Sequence, residues 1–142
     1  MKNRGGIVQF IKFAVVGVSN TAVDWIVYYG LSRLVLTADD QKSTAKLISF
    51  VLAVLNSYLW NTIWTFKSEY QKSVGKKNNI SQKGTIFFRF IIVSLIGWGV
   101  NYIAFRITLN QISQPDIIAL VVASGAAVLW NFFANKFWTY KK

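Results

Sequence analysis

Four apolar stretches, at residues 10–36, 45–66, 86–110 and 117–138, account for most of the chain and leave it few ways to fold. Crossing about 30 Å of hydrocarbon takes roughly 20 predominantly apolar residues in a helix, so each stretch has the length of a membrane span. A lone strand would leave its backbone groups unpaired in lipid, and no stretch alternates polar with apolar residues as a barrel wall does. The pattern predicts an all-α integral membrane fold with four transmembrane helices. Composition agrees. With 54% hydrophobic and 16% aromatic residues, one Pro and a mean hydropathy of +0.38, a chain of 142 residues has more apolar surface than a soluble domain of that size buries. The first apolar run, behind Lys2, Arg4 and Lys12, is too long for the core of a signal peptide and has no small-x-small cleavage pattern, so it reads as a retained helix.

The stretches also come in pairs. FIKFAVVGVSNTAVDWIVYYGL at 10–31 aligns with FRFIIVSLIGWGVNYIAFRITL at 88–109, placing Lys12 on Arg89, Phe13 on Phe90, Gly17 on Ser94, Asn20 on Gly97, Asp24 on Asn101 and Tyr28 on Phe105. SYLWNTIWTFK at 57–67 aligns with NFFANKFWTYK at 131–141, so Asn61, Trp64, Thr65 and Lys67 fall on Asn135, Trp138, Thr139 and Lys141. These matches predict one membrane domain over 1–142, built as a parallel internal repeat of two helical hairpins: repeat 1 at about 10–67, a basic loop at about 67–85, and repeat 2 at about 86–141.

The chain carries 16 Lys+Arg against 5 Asp+Glu, a net charge of +11. In a soluble protein that balance would suggest nucleic acid, but here the bases flank apolar runs, so no nucleic-acid partner is expected. Lys2, Arg4 and Lys12 precede the first run; Lys67, Lys72, Lys76, Lys77, Lys83 and Arg89 surround the middle loop; Lys136, Lys141 and Lys142 end the last run. The 37–45 connection balances Lys42 with Asp39 and Asp40, and the turn at Pro115 has only Asp116. The positive-inside rule therefore places a multi-pass protein in the cell membrane with both termini and the 67–85 loop in the cytoplasm. That loop reads as a flexible linker lying near anionic lipid head groups, and its charge also suits an acidic or phosphate-bearing partner. Trp60, Trp64 and Trp138, with Tyr58 and Tyr140, read as an interfacial aromatic belt or as a stacking surface for a sugar.

His and Cys are absent, which removes thiol nucleophiles, disulfides and most metal sites. The five acids form no close pair and no Gly-rich phosphate loop follows a strand, so neither an enzyme nor a cofactor is expected. Asp24 stands about twelve residues, roughly 18 Å of helix, from Lys12, close to the expected midplane. An ionisable group there is costly unless paired and marks a functional candidate. Gly17, Asn20, Asp24 and Tyr28 share a helix face, as do Ser94, Gly97, Asn101 and Phe105. Ser57/Asn61 and Asn131/Asn135 form polar stripes beside Lys12, Arg89 and Lys136, an arrangement suited to holding a phosphate while its chain stays in lipid. Residues of these types also join helices by small-residue packing and amide hydrogen bonds, and Lys12 and Lys136 also suit snorkelling. Arg33 and Arg106, near the other ends of their helices, suit outward snorkelling or an exit-side anion contact.

On these residues the chain resembles the GtrA-like family of small four-helix membrane proteins. The first-helix pattern FxKFxxVGxxNTxxD falls on Phe10, Lys12, Phe13, Val16, Gly17, Asn20, Thr21 and Asp24; the last-helix pattern falls on Asn131, Asn135, Lys136, Trp138, Thr139 and Tyr140. The similarity spans roughly 10–141. It implies help in translocating or presenting polyprenyl-phosphate-linked sugars, such as undecaprenyl-phosphate glucose, for decoration of O-antigen, teichoic acid or arabinogalactan. The implied partners are that lipid-linked sugar, membrane lipid and a membrane glycosyltransferase. On this reading Lys12, Arg89 and Lys136 bind the lipid phosphate, and Asn20, Asp24, Asn61, Asn101, Asn131 and Asn135 form a polar path for the sugar. Thr62 stands where the second-helix pattern often has Arg or Lys, and Tyr140 where it usually has Phe. Two alternatives remain open: a non-transporting scaffold for a glycosyltransferase, and a small proton-coupled multidrug exporter.

Overall fold

The computed structural model describes residues 4–75, 79–111 and 116–141. Lys2, Lys76, Lys77, Pro115 and Lys142, which the charge and turn arguments invoke, lie outside them. The elements in order are α1 (Arg4–Leu34), a 3-10 turn (Asp39–Gln41), α2 (Lys42–Trp60), a π-turn (Asn61–Thr65), α3 (Lys67–Val74), α4 (Ile80–Gln111), α5 (Asp116–Ala134) and a second π-turn (Asn135–Thr139). Among the described residues four helical segments are long and apolar enough to cross a membrane: Gly5–Leu34, Lys42–Thr65, Ile80–Thr108 and Ile118–Thr139. They match the four predicted spans, with boundaries within three residues except at two N-terminal ends. The first and third helices begin five or six residues early, because a helix continues through polar interfacial sequence once its hydrophobic part is anchored.

The chain divides into two compact units, Met1–Lys67 and Ser68–Lys142. In the first, α1 and α2 form an antiparallel hairpin. Its seam is made of small residues on α2, where buried Ala45, Ser49 and Ala53 recur every fourth position. Without a hydrophobic force between helices in lipid, close approach over small side chains is what supplies dispersion energy. At the end holding the chain's N-terminal part the seam widens to admit aromatics: Phe13 packs edge-on to the fully buried Phe66 at 6.0 Å between centroids. Large apolar side chains such as Ile7, Val18, Trp25 and Ile26 face outward, as expected where lipid is the solvent.

The second unit repeats this economy with other residues. Ile86, Phe90 and Val93 of α4 are buried, together with Ala119, Ala123 and Phe132 of α5. The Trp130 indole donates to the Val93 carbonyl at 3.2 Å and ties the two helices together. The unit also contains an element the sequence reading does not anticipate. Where a flexible linker is predicted, Lys67–Val74 is helical. This short helix survives by docking: the Ser73 hydroxyl donates to the Tyr140 carbonyl at 2.8 Å, and the Tyr70 and Tyr140 rings meet edge-on at 6.5 Å. It ends at Gly75, whose φ of 70° lies in the left-handed region that glycine enters without strain.

Candidate functional site

Each unit brings a base from its first long helix over the tryptophan of a π-turn that also carries a buried Asn and Thr. In the first unit the Lys12 ammonium lies 5.4 Å from the Trp64 ring centroid. In the second the Arg89 guanidinium lies 5.5 Å from the Trp138 ring, and its Nη1 donates to the Trp138 carbonyl at 3.2 Å. A cation over indole is held by the ring quadrupole, more firmly where water is scarce. Lys136 sits between the Phe132 and Phe137 rings, at 5.3 and 6.0 Å. Thr62, at the matching place in the first unit, is buried and adds no charge.

The π-turns explain how polar side chains come to be buried here. The Phe66 amide donates to the Asn61 carbonyl at 2.7 Å and the Tyr140 amide to the Asn135 carbonyl at 3.0 Å, in each case five residues back. The widened turn puts Asn61, Thr62, Thr65 and Phe66 on the inner side together, and likewise Asn135, Thr139 and Tyr140. Each Asn amide nitrogen turns back along its helix: Asn61 Nδ2 donates to the Ser57 carbonyl at 2.9 Å and Asn135 Nδ2 to the Asn131 carbonyl at 2.8 Å. That fixes the amide orientation and leaves its oxygen over. Asn61 Oδ1, Thr65 Oγ1, Asn131 Oδ1, Asn135 Oδ1 and Thr139 Oγ1 are buried without a hydrogen-bond partner among the described residues. Buried polar atoms are ordinarily paired, and single-turn π-bulges concentrate at functional sites. Asn131 is further confined by Gly97, where an added Cβ would lie 2.5 Å from both Oδ1 and Nδ2.

The polar face predicted on α1 is occupied. Asn20 Oδ1 accepts from Asn56 Nδ2 at 2.8 Å. Asp24 is bound on both oxygens, Oδ2 by Lys46 Nζ at 2.5 Å and Oδ1 by the Ser49 hydroxyl at 2.6 Å. The Asp24 side chain is 19% exposed and that of Lys46 56%, so the acid sits inside and its base bridges outward. Lys46 also lies 5.7 Å from the Tyr28 ring. Sequence reasoning misses Lys46 and Ser49, although Lys46 is the one charged residue in the 45–66 stretch and a hairpin turning near residue 37 carries 24 past 50. Thr65 and Thr139 are missed as well; their signal is the shared N-x-x-W-T ending. Asn101 is half-buried on α4. Of the predicted residues, Lys12, Asn20, Asp24 and Asn61 fall in the first unit, and Arg89, Asn101, Asn131, Asn135 and Lys136 in the second.

The family described as GtrA/DPMS, transmembrane domain, matches residues 12–140. The chain belongs to this family. The GtrA/DPMS match takes in both π-turns and every predicted site residue. Among its relatives, the chain is 25% identical over 137 residues to a bactoprenol-linked glucose translocase of Shigella phage SfII, covering 93% of this chain and 94% of the relative. It is 24% identical over 129 residues to the uncharacterised membrane protein YngA of Bacillus subtilis (strain 168), covering 91% and 77%. It is 33% identical over 137 residues to a dolichol-phosphate mannosyltransferase of Pyrococcus furiosus, covering 92% of this chain but 34% of that larger protein. The chain is thus a multi-pass membrane protein of the GtrA/DPMS family.

Proposed function

We propose that this protein assists the passage of a polyprenyl-phosphate-linked sugar across the bilayer, by lending its own polar groups to the head group and performing no covalent chemistry. One observation carries the reading: in both units a base rests on the tryptophan of a π-turn whose buried Asn and Thr oxygens have no donor among the described residues. A phosphosugar entering hydrocarbon gives up several hydrogen bonds to water, each costing about 2–7 kcal/mol if not replaced. Lys12, Arg89 and Lys136 offer cations to the phosphate. Asn61, Asn131 and Asn135, with Thr65 and Thr139, offer acceptors to sugar hydroxyls, which are donors. Within their own units, Asn20 and Asp24 add polar groups along α1 and Asn101 along α4. The polyprenyl chain stays against the outward apolar surface. The near-complete match to a relative named for translocating bactoprenol-linked glucose supports this substrate class. The Lys/Arg bias supports cytoplasmic termini, which puts the π-turns at the cytoplasmic ends of their helices.

The test is reconstitution into liposomes carrying polyprenyl-phosphate glucose, timing the access of an impermeant probe outside to lipid from the inner leaflet. The wild-type protein accelerates access, and Asn61→Ala with Asn135→Ala slows it about thirtyfold, as expected for two lost hydrogen bonds of about 1 kcal/mol each. The lipid recovered has unchanged mass. An unaltered rate in a double variant of native helicity would refute the assignment. The mannosyltransferase match favours a second reading, in which such a domain serves as the membrane part of a glycosyltransferase. No acceleration by folded wild-type protein, together with retention of a glycosyltransferase by the protein on a column, would select it.

A further inference from the structure

A cavity of about 430 Å³ opens at the end of the first unit where α1 gives way to α2, lined by Tyr28, Tyr29, Ser32, Arg33, Thr37 and Lys42. It lies at the opposite end of the hairpin from the π-turn, and its volume falls within the roughly 300–1,000 Å³ of small-molecule sites. Its lining has no aliphatic side chain, so it offers little to a polyprenyl tail. Instead it combines the parts that recognise a sugar phosphate. Arg33 presents a fork that fits phosphate oxygens two at a time, and among the described residues no carboxylate pairs with it. Asp40 is exposed on the neighbouring turn but does not line the cavity. Tyr28 and Tyr29 stand edge-on at 5.4 Å between centroids, an aromatic corner with two phenol groups, and Ser32 and Thr37 add hydroxyls.

The cavity also connects to the half-buried acid of α1. The Lys46 ammonium lies 5.7 Å from the Tyr28 ring while bound to Asp24, so a chain of contacts runs Asp24, Lys46, Tyr28 and then the cavity. Lys46, held by Asp24, thus adds a cation next to the Tyr28 ring without itself lining the cavity.

We propose that this cavity is a receiving site for a phosphate-linked sugar head group at the end of the first unit opposite its π-turn, with Arg33 on the phosphate and the Tyr28–Tyr29 corner against the sugar. The inference rests on the translocation reading for its lipid substrate but is tested separately from it. The full chain in nanodiscs is titrated with glucose 1-phosphate, with inorganic phosphate, and with glucose 1-phosphate in discs already holding polyprenyl-phosphate glucose. Glucose 1-phosphate binds the wild type, binds Arg33→Gln about tenfold more weakly for want of a charge-assisted pair, and partly recovers with Arg33→Lys. The lipid competes in wild-type discs. Equal affinity in wild type and Arg33→Gln overturns the site. Inorganic phosphate binding as tightly as glucose 1-phosphate overturns the sugar half of the assignment, and Arg33-dependent binding without competition by the lipid overturns the lipid as its source. Failed transport in liposomes with Arg33-dependent competition intact would overturn the translocation reading and keep the cavity; intact transport with Arg33-independent binding would do the reverse.

Discussion

Asp24 shows how one residue obliges others. A charge at the centre of a membrane helix costs about 2.5–3.5 kcal/mol on insertion scales, so an acid in an apolar run requires a partner from another helix. That requirement is legible in the sequence. The identity of the partner is not, because it depends on the register of the α1–α2 hairpin, which the small seam Ala45, Ser49 and Ala53 fixes in three dimensions. The same register sets Asn20 on Asn56, a pairing equally hidden in the linear pattern. Removing one partner leaves the other charged and unpaired, whereas removing both with apolar replacement does not. Asp24→Ala is therefore expected to lower stability by about 2–3 kcal/mol, and the double variant Asp24→Leu with Lys46→Met to restore most of it. Thermal unfolding in detergent measures both. A double variant no more stable than the single one would mean that Asp24 acts through Ser49 alone.

At the scale of elements the four spans were open to reading and the π-turns were not. Length and apolar character report a helix; they do not report whether an amide reaches four or five residues back. The cue that remains is the pair of N-x-x-W-T endings, which marks the place without giving the geometry. Helix α3 was hidden for a different reason: a mostly polar segment of eight residues has no span signal, and its order comes from Tyr70 and Ser73 meeting Tyr140. A π-turn holds one residue more than the α-helix needs, so removing one there leaves the flanking segments nearly in place. Deleting Ile63 is thus expected to keep the fold while disrupting the Asn61–Thr65 pair and slowing transport. Deleting Leu55, exposed to a similar degree but within regular α2, turns everything beyond it by about 100° and takes Phe66 off Phe13. Circular dichroism and melting temperature should separate the two deletions clearly. Equal destabilisation would mean that the π-turn is held as rigidly as the helix.

For the molecule as a whole, the question that decides how the sites are used is which way the chain faces. The two units give the same answer when read separately. The first has Lys12 near its π-turn end and compensated charge at the α1–α2 connection; the second has Lys83, Arg89, Lys136 and Lys141 towards its π-turn end. Both biases accord with the proposed topology, which has the π-turns inside and the Arg33 cavity outside. Because the chain has no cysteine, single thiols can report this directly. In intact cells a membrane-impermeant maleimide is expected to label Ala38→Cys, which is exposed beside the cavity, and to reach Ser81→Cys only after the membrane is opened. The opposite pattern would turn the cavity into the cytoplasmic mouth and the π-turns into the outer one. The polar groups would still serve a phosphosugar, but in the first unit Arg33 would then meet it first, and Lys12 would release it.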